Sequence, residues 1–187
     1  MGQYFKSVVL KKNYKTNSSN QTIVSLCAWD FFVGAKLTEH SYVGNSFMKS
    51  AMQLLAIYKA HPFVWCGDYA DERFTDKDGN KRNAYEISHT ITPEELQSMV
   101  EKNGIEDDYK YIVNYSKRQY IKVPDYKENQ WIMHPLSLLC ADGNHRGSGD
   151  YYGLNEDKVG IWAYDRLGVT NKRPHYKKIK VEFKEKY

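Results

Sequence analysis

Short runs of alternating apolar and polar residues recur along the chain, which is the pattern of strands that bury one face. Two of these runs are rich in tyrosine and stand close together, at residues 109–116 and 119–123, so they predict a hairpin. In chain order, the runs that predict strands are residues 5–11, 22–29, 63–69, 109–116, 119–123, 159–167 and 175–184. Residues 131–141 add one further apolar segment.

Two other stretches repeat apolar residues at three- and four-residue spacing, which places them on one face of a helix. The first helix is predicted at residues 46–60, with Asn45 as its N-cap. The second begins after a capping Thr92, has proline at its first position, and ends at the Asn-Gly pair 103–104. Two principal helices and seven or eight strands in irregular order predict one α+β domain over residues 1–187, with a mainly antiparallel sheet.

The composition is that of a globular protein. Hydrophobic residues make up 41% of the 187 residues and aromatic residues 14%, which is too many large rings for a disordered chain. No apolar run approaches the ~20 residues that a bilayer span needs, and the first residues lack the basic-then-apolar layout of a signal peptide. We therefore expect a cytoplasmic protein with no membrane partner.

The net charge of +4 is concentrated near the end of the chain. Residues 172–187 hold seven Lys or Arg against two Glu. Such a segment can bind nucleic acid. Here, however, apolar residues alternate with the lysines, which favours a half-buried edge strand whose lysines discourage pairing with another sheet. A long nucleic acid is therefore not the expected partner.

The three cysteines and six histidines do not form a recognisable metal or redox motif. Cys27, Cys66 and Cys140 stand far apart inside apolar segments, so buried free thiols are expected. A nucleophilic cysteine is the alternative, and Cys140 is favoured for that role because a polar glycine-rich loop follows it. We predict no metal site and no cofactor.

That loop, residues 142–150, contains three glycines together with one arginine. Glycines let backbone amides approach an anion, and the guanidinium of Arg146 offers a two-pronged donor for phosphate. With Asn144, Asp150 and Tyr151, the loop is a candidate binding site for a phosphorylated ligand. The alternative is a surface loop whose glycines serve turns.

Two carboxylates follow the predicted strand at 63–69. Asp68 and Asp71 are candidates for acid–base catalysis, and Trp65 and Tyr69 for aromatic walls around a ligand. The carboxylates are equally suited to cap the neighbouring turn or to pair with a nearby arginine.

A histidine precedes the first predicted helix, in residues 35–42, which are expected to be extended or irregular. His40 is the candidate general base, and Asn45 a candidate ligand contact where helix amides can face an anion. A hydrogen-bonded structural role for His40 is the alternative.

The aromatic residues have two interpretations. The four tryptophans lie in apolar segments and are expected in the core. Five tyrosines lie among lysines and arginine, an arrangement that allows stacking on a nucleobase but is equally that of a hairpin packed in a sheet; they are Tyr109, Tyr111, Tyr115, Tyr120 and Tyr126.

Four blocks of the sequence resemble a family of uncharacterised small proteins carried by phages and bacteria. The most specific are EHSYVGN, at 39–45, and GDYAD, at 67–71. The resemblance implies a setting but no named activity. It implies an intracellular accessory protein, in the host cytoplasm if a phage encodes it, of a kind that phages often use against host defences. His145 and Ser148 stand where glycines are expected in relatives. The blocks are residues 1–4, 36–45, 64–71 and 142–151.

If the polar blocks meet at one rim of the sheet, they offer a mixed site of base, carboxylate, guanidinium and aromatic groups. Such a site suits a nucleotide-type molecule. Because no catalytic triad or metal cluster is recognisable, we expect binding by sequestration. The alternatives are a hydrolase acting on a nucleotide or nucleotide-derived signal, and a protein-binding inhibitor, acting on a host protein, with no small-molecule site.

Overall fold

The computed structural model describes residues 2–128 and 130–186. The strands are β1 (Phe5–Leu10), β2 (Thr22–Cys27), β3 (His61–Gly67), β4 (Phe74–Thr75), β5 (Lys81–Arg82), β6 (Tyr111–Asn114), β7 (Gln119–Lys122), β8 (Ala141–Asp142), β9 (Gly153–Leu154), β10 (Arg166–Thr170), β11 (Lys177–Lys178) and β12 (Lys184–Glu185). The α-helices are α1 (Leu37–His40), α2 (Ser46–Ile57), α3 (Ala84–Ile87), α4 (Pro93–Asn103) and α5 (Pro135–Cys140).

Eight of the strands in these residues form one sheet. Its order is β11-β7-β6-β10-β3-β1-β2, and β8 also pairs with β3. The β3–β8 and β7–β11 ladders are parallel, and the other ladders of this sheet are antiparallel. The α+β prediction is confirmed, with a mixed sheet in which antiparallel pairing dominates, and the sheet is consistent with a single domain.

The two predicted helices are the two longest of the described chain, α2 and α4. The side chain of Asn45 accepts from the amide of Phe47 at 2.8 Å and so caps α2. At α4, Thr92 and Glu95 form a capping box, and Gly104 ends the helix in the left-handed region at φ 59°. Helix α2 stops at Ile57, before the predicted end.

Three predicted segments differ from the structure. The 35–42 segment contains the short helix α1, and the 131–141 segment contains α5, where His134 caps a helix with proline at its first position. Gly160 and Tyr164 both have positive φ, at 77° and 67°. A strand cannot pass through such residues, so the predicted strand at 159–167 is a turn and β10 begins only at Arg166.

Side chains of β1 alternate between the two faces of the sheet, and both faces are buried there. Phe5 and Val9 join the larger core cluster, whereas Val8 and Leu10 join a smaller cluster on the other face. All three cysteines are free and buried, as predicted. Among the tryptophans, Trp65 and Trp162 are fully buried, but the core prediction is wrong for Trp29 and Trp131, which are 52% and 79% exposed.

The lysine-rich terminal segment alternates as its pattern predicts. Ile179 and Val181 are half-buried and Phe183 is buried, with exposed Lys180 and Glu182 between them. Its hydrogen-bonded ladders are nevertheless short, because β11 and β12 span two residues each. In the described residues, no helix is both long and apolar enough to cross a membrane.

Candidate functional site

The four blocks of the sequence contact one another at the end of β3. The first block, residues 1–4, is joined to the third, residues 64–71, by the Tyr4 amide, which donates to Asp68 Oδ1 at 3.0 Å. The second meets the fourth where Thr38 Oγ1 donates to the carbonyl of Gly149 at 3.3 Å. Arg146 links the fourth back to the third. The hypothesis that these blocks meet is therefore supported, but Asn45, at the end of the second block, caps α2 and lines the cavities described below.

His40 lies in the interior and uses both ring nitrogens. Its Nε2 accepts from Trp65 Nε1 at 2.9 Å, so Nδ1 carries the proton, which it donates to the Gly34 carbonyl at 2.9 Å. Both rings are fully buried. Burial lowers the pKa of His40 to about 4. This geometry does not suit His40 as a general base or Trp65 as a ring that stacks on a ligand. It corresponds to the alternative in which His40 has a hydrogen-bonded structural role.

The glycine-rich loop is closed on itself. The Asn144 side chain donates to the Tyr151 carbonyl at 3.2 Å and accepts from the Tyr151 amide at 2.9 Å. Tyr151 is fully buried, and its hydroxyl accepts from the Lys184 amide at 2.9 Å. Asp150 is 5% exposed, and its Oδ2 accepts from the Gly147 amide at 3.0 Å. These three predicted ligand contacts hold the loop together.

The loop glycines make room for a side chain that the sequence pattern did not single out, Gln3. A Cβ on Gly147 would lie 2.5 Å from the Cβ of Gln3, and a Cβ on Gly67 or Gly143 would overlap its amide. Gln3 is fully buried, and neither amide atom has a hydrogen-bond partner among residues 2–128 and 130–186. These glycines therefore serve close packing, which no local motif reveals.

The exposed part of the predicted site is an ion-paired surface. Arg146 Nη1 donates to Asp71 Oδ1 at 2.7 Å and to the Tyr69 carbonyl at 3.0 Å. The guanidinium of Arg146 holds the pKa of Asp71 below its usual value. Burial raises the pKa of Asp68, although the Tyr4 amide opposes this effect. Arg146 is thus already paired with a carboxylate, which weakens its role as a hydrogen-bond donor to a phosphate group.

Asn45 lies between two neighbouring cavities that share Val43 and Gly44. The first, here called the helix cavity, has a volume of about 300 Å³ and includes Lys49 and His134 in its lining. The second, here called the aromatic cavity, has a volume of about 350 Å³ and is lined by Tyr42, Val43, Gly44, Asn45, Tyr126, Gln130 and Trp131. The N-terminus of α2 therefore opens between them.

The helix cavity combines three kinds of polar group. Lys49 lies 3.3 Å from Asp107, so its charge is partly balanced. His134 is only 4% exposed, and its Nδ1 accepts from the Leu136 amide at 3.2 Å, which leaves the proton on Nε2. Within the described residues, Nε2 has no hydrogen-bond partner. Burial lowers the pKa of His134 to about 3, so the ring is a neutral donor at physiological pH.

Large exposed rings wall the aromatic cavity. Trp131 is 79% exposed and meets Tyr42 edge to face, with ring centroids 4.9 Å apart. Tyr126 is 65% exposed. Its ring packs over Gly44, where a Cβ would lie 2.6 Å from a ring carbon. Gly44 also has φ 87°, so both the backbone conformation and the close approach of the Tyr126 ring require glycine at this position.

The hairpin tyrosines have different environments. Tyr120 is buried, and Tyr109, Tyr111 and Tyr115 are half-buried. Tyr111 meets Tyr120 edge to face at 5.7 Å, as in a packed sheet. Tyr126 is the one of the five that is exposed, and it lies beyond the hairpin. Packing therefore explains four of them, and stacking on a ligand stays a prediction for Tyr126.

Cys140 is not an available nucleophile. Its side chain is fully buried in α5, and burial raises the pKa of its thiol well above the ordinary value. The reactive thiolate is therefore absent at neutral pH. In the described part of the chain, no group of three or more His, Cys, Asp or Glu residues is placed to hold a metal ion.

The sequence pattern does not identify His134 or Trp131 as cavity residues. The signal for His134 was the proline that follows it, since a residue before Pro at a helix start is a natural cap. Trp131 carried no such signal, because an apolar segment looks the same whether its ring points in or out.

A scan against protein-family models finds no match, and searches of the curated proteins and of the solved structures find none either.

Proposed function

We propose that the protein binds a phosphorylated nucleotide-type molecule in the helix and aromatic cavities and holds it without turnover. The observation that carries this proposal is the position of the N-terminus of α2, between two cavities. One is lined by Lys49 and His134 together with the carboxylates of Asp107 and Asp108, and the other is walled by exposed rings. A nucleotide has the same division into an anionic and an aromatic part.

The phosphate fits the helix cavity. Helix α2 has 12 residues, and the positive end of its dipole favours an anion, although the Phe47 amide is already bonded to Asn45 Oδ1. Lys49 adds a cation, and the neutral Nε2–H of His134, which has no hydrogen-bond partner within the described residues, adds a donor. Asp107 and Asp108 line the same cavity and oppose the binding of an anion. The Asp107 side chain is 80% exposed and paired with Lys49, so solvent screens its repulsion.

The base fits the aromatic cavity. Exposed rings such as those of Trp131 and Tyr126 offer stacking faces, which are worth about 1–3 kcal/mol for each base. Solvent exposure of two such rings in one concave region is costly unless a ligand covers them.

Binding without turnover is favoured over hydrolysis by the state of the titratable groups. His40 has both nitrogens engaged, and Asp71 is paired with Arg146. His134, with its pKa lowered to about 3, does not exchange protons at neutral pH. The resemblance to phage and bacterial accessory proteins supplies the proposed role: a sequestering protein lowers the free concentration of a nucleotide signal that a host defence uses.

A capture-and-release assay tests the proposal. The purified protein is incubated with mononucleotides, cyclic and linear oligonucleotides and nicotinamide dinucleotides, filtered, and heated, and both fractions are chromatographed. We expect one ligand to leave the filtrate and to return intact on heating. A ligand that returns altered would instead identify a hydrolase, and a panel that passes through entirely would refute the proposal.

Two exposed tryptophans provide a matched pair of variants. Trp131→Ala should lose capture, since the ring walls the aromatic cavity. Trp29→Ala removes a ring that is 52% exposed and does not line either cavity, so it should capture as the wild type does. Equal capture by both variants would contradict the assigned site.

A second candidate, a protein-binding inhibitor, is favoured by one separate observation. Phe32 is 99% exposed and has φ 59°, so the chain holds a large apolar ring in solvent on a left-handed residue. If no nucleotide is captured, a host protein retained by the wild type but not by Phe32→Asp would support this function.

A further inference from the structure

A third cavity adjoins the aromatic cavity, so the three cavities follow one another through shared lining residues. The third cavity has a volume of about 400 Å³ and shares Gln130 and Trp131 with the aromatic cavity. The aromatic cavity in turn shares Val43 to Asn45 with the helix cavity. Trp131 therefore lies where the second and third cavities meet. We call the three together the long groove.

The third cavity repeats the chemistry of the first two. Lys127 and Lys184 line it, with Glu182 at 2.8 Å from the Lys184 ammonium. Apolar side chains, among them Met133 and Phe183, form the rest of the lining together with Trp131. A cation beside a stacking ring is again the pairing that one nucleotide unit needs.

We infer that the ligand of the long groove is a dinucleotide or a short single-stranded oligonucleotide, with one base on each side of Trp131. This inference rests on the proposed function and extends it. Each cavity alone is near the lower limit for a small-molecule site, about 300 Å³. A mononucleotide occupies only the helix and aromatic cavities and leaves the third cavity and the far side of Trp131 uncovered.

The test is a fluorescence titration with adenylates of increasing length, each with a 5′ phosphate: the mononucleotide, the linear dinucleotide and the tetranucleotide. We expect the dinucleotide to bind about tenfold more tightly than the mononucleotide, the gain of one stacked base. A plot of the logarithm of the affinity against the logarithm of the salt concentration should also have a slope steeper by about 0.7 for the dinucleotide than for the mononucleotide, because the dinucleotide carries one more phosphate.

Lysine variants separate the third cavity from the others. Lys184→Gln changes a side chain that is 69% exposed, and it should reduce the gain on lengthening while leaving mononucleotide affinity unchanged. Lys49→Gln, in the helix cavity, should weaken all three adenylates alike. Lys11→Gln, an exposed lysine outside the long groove, is the control for lost charge and should change nothing.

The outcomes distinguish the two proposals. Equal affinity for the mononucleotide and the dinucleotide overturns the inference and leaves the proposed function standing. Failure of every adenylate, and of the matching guanylates, cytidylates and uridylates, overturns both. A length-dependent gain that Lys184→Gln does not reduce also overturns the assignment of the second unit to the third cavity.

Discussion

The imidazole of His40 is held between the indole of Trp65 and the carbonyl of Gly34, with no solvent contact. Replacing it by leucine leaves a buried donor and a buried acceptor unpaired, each costing about 1–3 kcal/mol. We expect His40→Leu to lower the free energy of unfolding by about 3 kcal/mol, measured by urea denaturation.

His40→Gln is the matched variant, because an amide can still donate to Gly34 and accept from Trp65. It should recover most of the lost stability. Nucleotide capture per folded molecule should be the same in both variants, since His40 does not line the long groove. A wild type that returns altered ligand, together with a stable His40→Leu variant that captures the ligand and returns it intact, would argue instead for a catalytic histidine.

Gly44 and Gly79 form a natural pair, since both have φ 87°. An alanine at either position incurs left-handed backbone strain of about 1–2 kcal/mol. At Gly79 the added methyl meets open space, whereas at Gly44 it meets the ring of Tyr126 at 2.6 Å. We therefore expect both variants to lose similar backbone stability, but only Gly44→Ala to displace Tyr126 and weaken capture at least fivefold, measured by equilibrium dialysis. Equal capture by both would mean that Tyr126 is not a wall of the site.

At the scale of elements, β11 is the edge strand of the main sheet, and both of its residues are exposed lysines. Charged side chains on an edge discourage pairing with the sheet of another molecule. The double variant Lys177→Thr, Lys178→Thr should therefore aggregate at concentrations where the wild type is monodisperse, measured by light scattering. Lys11→Thr, Lys12→Thr removes the same charge from a turn and should not. Aggregation of both would assign the effect to net charge alone.

The opposite edge of the sheet is protected differently. The outer side of β2 is partly covered by the chain before α4, where the Ser25 amide donates to the His89 carbonyl at 2.7 Å and the Ile91 amide donates to the Ser25 carbonyl at 3.0 Å. This cover involves few bonds and no charge. The basic character near the end of the chain thus has a structural role at one edge only.

Elements whose signals are local were predictable from the sequence. Helices α2 and α4 carry their caps and apolar faces within one stretch of chain, so both were predicted at nearly their observed positions. The strand predicted at 159–167 failed because Tyr164 adopts φ 67°, a conformation that its side chain does not favour. The backbone amide of Tyr164 donates to the Phe63 carbonyl at 2.8 Å, a tertiary contact that local pattern cannot contain.

At the scale of the whole molecule, two buried histidines make stability depend on pH. Burial lowers the pKa of His40 to about 4 and that of His134 to about 3, whereas an unfolded histidine titrates near 6.5. Below pH 6.5 these two histidines therefore become protonated in the unfolded chain but stay neutral in the folded chain. Each histidine contributes stability that is complete above pH 6.5 and is lost, at about 1.4 kcal/mol per pH unit, as the pH falls towards 4.

Urea denaturation at pH 7.5 and 5.5 measures this dependence. We expect the wild type to lose about 1.4 kcal/mol more than His40→Gln between the two pH values, because the variant lacks one of the two histidines. The same loss in both proteins would show that His40 is not held neutral in the folded state.

The meeting of the four sequence blocks was predictable only as a hypothesis, because it depends on the strand order. Asp71 and Arg146 come together beyond the parallel pairing of β3 with β8, and the periodicity of the sequence does not predict this pairing. The direction in which the polar side chains of these blocks point was not predictable from the sequence, because most of them form hydrogen bonds with one another. The long groove lies instead beside Trp131, which the sequence pattern assigned to the core.

The place of β10 in the sheet has a consequence for synthesis on the ribosome. This strand pairs with β3 on one side and with β6 on the other, and so joins two parts of the sheet that are translated before it. Until residues 166–170 leave the exit tunnel, the nascent chain exposes edges at both β3 and β6, where strands of neighbouring nascent chains can pair. Slow translation shortly before β10 would lengthen that exposure, and chaperone binding during the same interval would protect the chain.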